Sequence, residues 1–261
     1  HSQAPCFPVH ANHLSFIEEP KQFYQHLIDG IQRAQNRVVL CSLYLGIGEH
    51  EDNIVKSLDT ALAEKPDLKV TILMDYLRGT RGAKRSAHEH VGLEPTSTSG
   101  MLLPLVKKYG ADRLNVHFYH TPAIGPWLRK VLPERFDEVI GVQHMKIYMF
   151  DNDMILSGAN LSDWYFADRQ DRYVYIQQQE NICSFYSKLV QTVNKFSYEL
   201  KANGDLQFPE QGRDPQQNSK QFVAFANQKV KQFFENQYLQ QIDHLSENNI
   251  SDQQDTWIFP V

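Results

Sequence analysis

Three short, uninterrupted apolar runs, separated by stretches of helical period, restrict this chain more than any other feature. They are residues 37–45 (RVVLCSLYL), 68–76 (LKVTILMDY) and 114–119 (LNVHFY). Rich in β-branched and aromatic residues, they read as strands covered on both faces. Residues 21–35 place Phe23, Leu27, Ile31 and Ala34 at helical spacing, and residues 52–63 do the same with Ile54, Val55, Leu58 and Leu62 before Pro66. Residues 101–109 form a third, shorter helix that stops at Gly110. The alternation predicts an α/β fold: a mostly parallel mixed sheet flanked by helices on both faces. Such sheets place their chemistry in loops beyond the strand ends.

The remaining chain is less regular. Residues 1–19, with Pro5 and Pro8, show no period, and residues 78–90 read as a polar surface loop. Strands are expected at 139–150, 154–157 and 172–177, and an amphipathic helix at 181–200. Residues 202–219 turn polar and carry Pro209 and Pro215, and helical period returns over 221–245. These shifts suggest a catalytic half-domain over 1–200, a linker over 201–220, and a helical extension over 221–261. The apolar close at Trp257, Ile258 and Phe259 is expected to begin a second half that lies outside the sequence.

Composition removes several classes. A net charge of -5 argues against a general nucleic-acid binder, which needs clustered excess Lys and Arg. Cys6, Cys41 and Cys183 are an odd number, far apart and without C-x-x-C spacing, so neither a disulfide framework nor a zinc site is expected. No apolar run reaches the roughly 18–20 residues that span a bilayer, which leaves peripheral membrane contact. The chain starts at His1 rather than Met, and is expected to be a processed or trimmed product.

The chemistry concentrates in one stretch, VQHMKIYMFD over 142–151, followed by Ser157-Gly158-Ala159-Asn160. Residues two apart on a strand share a face, so His144 and Lys146 are expected side by side, with Met145 and Ile147 turned into the core. A neutral imidazole can attack phosphorus and form a phosphohistidine. A lysine ammonium stabilises oxygens that gain charge in the transition state. Asn160 offers amide hydrogens to the same oxygens. Asp151 completes an H-x-K-x4-D spacing but sits too far along the strand to face the same pocket, which favours a structural task. Asp171, just before the next strand, is the candidate to fix the histidine tautomer. An H-x-K pair alone is weak evidence; the acid and the small-residue turn ending in Asn make coincidence much less plausible.

These residues resemble the H-x-K motif of the phospholipase D superfamily. The runs VVLCSLYLG, DYLRGTRG, LLPLVKKYG, PERFDEVIGVQHMKIYMFDNDMILSGANLSDWYFADRQDRYVYI and DTWIFP further resemble the mitochondrial phosphatidylglycerophosphate synthases within it. The resemblance implies a phospholipase D-like α/β/α sandwich carrying one H-x-K half. The implied reaction transfers the phosphatidyl group of CDP-diacylglycerol to glycerol 3-phosphate and releases CMP, with no cofactor and no metal. It casts His144 as nucleophile within a catalytic set that includes Lys146 and Asp151, Asn160 and Ser157 as phosphate ligands, and Asp171 as the orienter of His144. It also implies a peripheral place on the matrix side of the mitochondrial inner membrane. The turn reads Ser-Gly and is one residue shorter than the superfamily pattern. None of the other ten histidines is followed two residues later by Lys, so the second H-x-K is expected from a missing C-terminal region or a second chain. The rival readings are a homodimeric phosphodiesterase or nuclease, and a non-catalytic lipid-binding half.

Two further features carry expectations. Arg78 and Arg81 in RGTRG are candidates for substrate phosphate, against the plainer reading of a solvated basic loop. Residues 124–136 suit an interfacial helix with Trp127 and Leu128 in lipid and Arg129 and Lys130 at anionic headgroups, or an ordinary packed helix. His117 and His120 flank a strand end, where histidines are more often structural than catalytic.

Overall fold

The computed structural model describes residues 5–81, 97–123, 141–209, 213–247 and 256–260. Its centre is a nine-stranded sheet in the order β10-β9-β5-β4-β3-β6-β7-β8-β2. The middle strands are β3 (Arg37–Cys41), β4 (Lys69–Asp75), β5 (Leu114–Tyr119) and β6 (Ile147–Phe150). Towards one edge follow β7 (Asp153–Ser157), β8 (Tyr173–Ile176) and β2 (Leu14–Ile17); towards the other, β9 (Tyr198–Leu200) and β10 (Leu206–Gln207).

The expected strand–helix alternation holds only at the centre, and the expectation of a mostly parallel sheet is overturned. The β3–β4 and β4–β5 pairs are parallel, whereas β3–β6, β6–β7, β7–β8, β8–β2, β5–β9 and β9–β10 are antiparallel. The reason is connection length. Parallel neighbours need a crossover of about a dozen residues, but β6 and β7 are joined by Asp151 and Asn152 alone, with Asp151 at φ 51°. A two-residue link permits only a hairpin.

Side-chain alternation splits the interior into two cores. Val38, Leu40, Val70, Ile72, Val116, Phe118, Tyr148 and Phe150 point to one face. Helices α1 (Pro20–Arg33), α2 (Glu49–Glu64), α4 (Thr98–Tyr109) and α5 (Asp163–Ala167) cover it, with the four-residue α3 (Tyr76–Gly79) at the end of β4. Val39, Cys41, Leu73, Ile147 and Met149 point to the other face. There α6 (Glu180–Asn194) and the first turns of α7 (Ser219–Glu247) supply Ile182, Val190, Phe222 and Phe225. The close fit of α1 rests on Gly30, where an added Cβ would lie 2.4 Å from the Phe150 ring.

Two stretches carry structure that periodicity did not suggest. Residues 14–17 form the outermost strand because β8 gives them a hydrogen-bonding edge, and β1 (Phe7–Val9) pairs antiparallel with β11 (Thr256–Ile258), setting Pro8 opposite Trp257. Within residues 201–220, Leu206 and Gln207 extend the sheet and Tyr198 donates to Asp214 at 2.7 Å. The strand expected over 139–150 is shorter, its ladder beginning at Ile147, and residues 141–146 enter it outside any helix or strand.

Candidate active site

The carboxyl ends of β3, β4 and β5 and the amino end of the antiparallel β6 meet at one edge of the sheet, and His144 and Lys146 lie there. The expected sidedness is present: Met145 packs against the same core as Ile147, while Lys146 takes the opposite parity, shared with Tyr148. Lys146 is 6% exposed and donates to the His144 carbonyl at 2.9 Å. Burial depresses its ammonium to about 8, partly countered by the field of Asp171. His144 is exposed at the mouth, and partial desolvation together with Lys146 lowers its imidazole. The lowered imidazole favours an uncharged ring at neutral pH, the form able to act as a nucleophile.

The Ser157–Asn160 turn closes the site from β7. The Ser157 hydroxyl accepts from Ala159 N–H at 3.0 Å, a local turn bond that shapes the loop. Asn160 is 6% exposed and its amide oxygen has no partner, an arrangement that is costly unless something else satisfies it. Asp171 accepts from Gly158 N–H at 3.0 Å and Arg172 N–H at 2.6 Å. A Cβ at Gly158 would fall 2.8 Å from both carboxylate oxygens, so a side chain here would push the acid away from the turn. Among the described residues no hydrogen bond joins Asp171 to the His144 ring; its charge reaches Lys146 instead.

Asp151 is not brought to this edge. It lies at the other end of β6, about 16 Å along the strand from Lys146 at the usual rise per residue. There its carboxylate accepts from the backbone N–H of Gln35, Asn36 and Arg37 at 2.8, 2.8 and 2.9 Å. Arg78 is at the site edge, its guanidinium 4.8 Å from the Tyr44 ring centroid, and Arg81 follows α3, partly buried. Trp127, Leu128, Arg129 and Lys130 fall outside the described residues. His120 is buried near the site, packed edge-on against Tyr76 with its Nδ1 2.7 Å from the Thr121 carbonyl oxygen.

The structure adds supports that sequence reading passed over. Asp75, 1% exposed at the end of β4, accepts from Arg78 N–H at 3.0 Å and Gln143 N–H at 3.1 Å, and burial lifts its carboxyl to about 6. Gln143 reaches the Cys41 sulfur at 2.7 Å. The segment before His144 is thereby fixed to the ends of β3 and β4. An Asp ending a parallel strand is the signal that could have flagged this position. On the far side, Asp163 N–H donates to Glu51 at 2.8 Å and His50 Nδ1 lies 2.7 Å from Asp163. These contacts anchor the loop after Asn160. Among the described residues no group of three or more His, Cys, Asp or Glu is placed to hold a metal ion, and no helix is long and apolar enough to cross a membrane.

No protein-family model matches the chain. A Dictyostelium discoideum protein named "Probable CDP-diacylglycerol--glycerol-3-phosphate 3-phosphatidyltransferase" is 38% identical over 271 residues, covering 100% of this chain and 45% of its own length. The mitochondrial CDP-diacylglycerol--glycerol-3-phosphate 3-phosphatidyltransferase of Gallus gallus is 36% identical over 98% of this chain and 49% of its own. The fold is shared with a phosphatidylserine synthase from Haemophilus influenzae, at a TM-score of 0.61 and 20% identity, over 86% of this chain and 45% of that one. The chain is thus similar to the 3-phosphatidyltransferases over nearly all of its own length while spanning about half of theirs.

Proposed function

We propose that the chain supplies one H-x-K half of a phospholipase D-type phosphatidyltransferase that moves the phosphatidyl group of CDP-diacylglycerol to glycerol 3-phosphate. The observation that carries this reading is the pairing of an exposed, lowered-pKa His144 with two buried polar groups behind it, Lys146 and Asn160, in a chain 38% identical to a protein named for that transfer. The His144 ring nitrogen forms a bond to phosphorus as the bond to the CMP oxygen breaks. The glycerol 3-phosphate hydroxyl then attacks, the P–N bond breaks, and phosphatidylglycerophosphate leaves. A second histidine, from the rest of the protein or another copy, takes the hydroxyl proton. Lys146, Asn160, Ser157, Arg78 and Arg81 hold phosphate oxygens, and Asp171 acts on the site through the Gly158 turn and Lys146.

In this reading residues 1–200 are the catalytic half, followed by a connecting segment over 201–220 and an extension over 221–261. The enzyme works at the matrix side of the mitochondrial inner membrane, with residues 127–130 against lipid. Labelled glycerol 3-phosphate with CDP-diacylglycerol vesicles tests the reaction. The whole protein is expected to place label in phosphatidylglycerophosphate, and the 261-residue chain alone to release CMP slowly. Phosphatidic acid without label would make the protein a hydrolase; turnover indifferent to His144→Ala would remove the chemistry from this site.

A further inference from the structure

A cavity lies at the end of the sheet opposite His144 and Lys146. Strand β5 alternates cleanly: Leu114, Val116 and Phe118 enter the first core, so Asn115 and His117 face the second, where β3, β4 and β6 present Val39, Cys41, Leu73 and Ile147. Polar groups on a core-facing strand surface need partners. Yet the Asn115 amide oxygen and His117 Nδ1 are buried without one, and so is the Asn194 amide oxygen at the end of α6. His117 and Asn194 are 6% and 8% exposed. All three line a cavity of about 390 Å³, open to solvent and walled further by Lys69, Arg113 and Lys195.

The chemistry of this cavity is asymmetric. The Ser197 carbonyl takes a hydrogen bond from the His117 ring, and burial drives the imidazole down to about 4 against the opposing pull of Glu199. The ring is therefore neutral, with Nδ1 left as a bare acceptor. The floor asks for hydrogen-bond donors that carry no positive charge. The mouth is basic, with Lys69 and Lys195 exposed and Asp112 as a counter-charge beside them. Arg113 spends its Nη2 on the Lys65, Leu62 and Leu68 carbonyls at 2.5, 2.9 and 3.3 Å, and its Nε stays buried and unpartnered. An uncharged donor on the inside and an anion on the outside define one type of molecule. Because Lys69 and Leu114 open their strands while Lys146 lies at the other edge, this molecule does not occupy the site of His144.

We propose that the cavity binds a small hydroxylated anion of the polyol-phosphate class, its hydroxyls donating to His117 Nδ1 and the Asn115 and Asn194 amides, and its phosphate held by Lys69 and Lys195. Ribose 5-phosphate, ribose and inorganic phosphate are suitable probes, read by the ¹⁵N resonance of His117 Nδ1 in the full-length protein. Ribose 5-phosphate is expected to shift that resonance saturably and equally well in His144→Ala. Lys69→Gln with Lys195→Gln, both on exposed residues, should weaken binding roughly tenfold. Asn194→Leu should abolish it without lowering thermal stability, and the lysine pair carries the test if Asn194→Leu fails to fold. Ribose alone and phosphate alone should bind more weakly. No saturable shift up to millimolar ribose 5-phosphate would mean a water-filled cavity and would overturn the proposal. So would a shift lost in His144→Ala, one indifferent to the lysine pair, or one matched by phosphate alone.

Discussion

The two ends of strand β6 carry the two halves of one sequence motif and do opposite work. At the amino end the polarity is incompletely met: Lys146, 6% exposed, has its ammonium depressed to about 8 and donates to the His144 carbonyl, and the Asn160 amide oxygen has no partner. At the carboxyl end, Asp151 is saturated, its oxygens receiving three backbone N–H groups between α1 and β3. One end stores the unpaired polarity that a phosphoryl group would complete. The other end ties a turn to the sheet. Proximity in sequence is therefore a poor guide to shared function along a strand, where each residue advances about 3.3 Å.

Substitution at each end should break the comparison in a different observable. The largest effect is expected at His144. If His144 is the proposed nucleophile, His144→Ala should reduce phosphatidyl transfer by at least about 10⁴-fold while thermal stability barely moves, since the ring is exposed. A comparable loss of stability would instead make the residue structural. Lys146→Met should lower transfer roughly 10²- to 10³-fold and raise stability. The sign follows from the depressed ammonium. The folded state binds fewer protons than the unfolded state between about 8 and the ordinary lysine value of 10.5, so protonated Lys146 destabilises the fold fully below pH 8 and progressively less above it. The variant should be more stable by about 1–3 kcal/mol at pH 7, with the gap closing as pH rises through that window in urea titrations.

Asp151→Ala is the mirror experiment. Three N–H groups lose their acceptor, and unfolding free energy should fall by about 1–3 kcal/mol. Transfer measured well below the melting temperature should stay within about threefold of wild type, because nothing at the catalytic edge touches this residue. A hundredfold drop in the chemical step by a folded Asp151→Ala protein would show that the two ends are coupled.

How much of this was legible in advance follows the range of the interactions. Local period gave α1 to within two residues and α2 to within three residues of their observed ends, and gave the strands at 69–75 and 114–119. The parallel assignment failed because it weighed alternation over connection length, although the two residues between Phe150 and Asp153 already demanded a hairpin. The strands at 7–9 and 14–17 have no internal signal; partners more than 150 residues away create them. The sidedness of His144 and Lys146 could be read from strand parity. Their supports Asp75, Gln143 and Cys41 converge from three separate segments, and a linear pattern does not show such a meeting. Asp171 is the intermediate case: its position before β8 made it a candidate orienter of His144, and its contact with Gly158 rather than the His144 ring was not legible.

Asp171 therefore offers the finest test of how the catalytic end is tuned. If it orients His144, Asp171→Asn should alter the acid limb of the pH–rate profile, which reports the imidazole. The geometry favours another outcome. The carboxylate closes on Gly158 and its negative charge raises the Lys146 ammonium, opposing desolvation. Removing that charge should depress Lys146 further, so the alkaline limb near pH 8 should move to lower pH by roughly half a unit to one unit, with the acid limb in place. Asparagine keeps an oxygen for the Gly158 N–H, so the turn should survive and stability should change by less than about 1 kcal/mol. Pre-steady-state CMP release between pH 5 and 9 separates the two roles, because each predicts movement of a different limb.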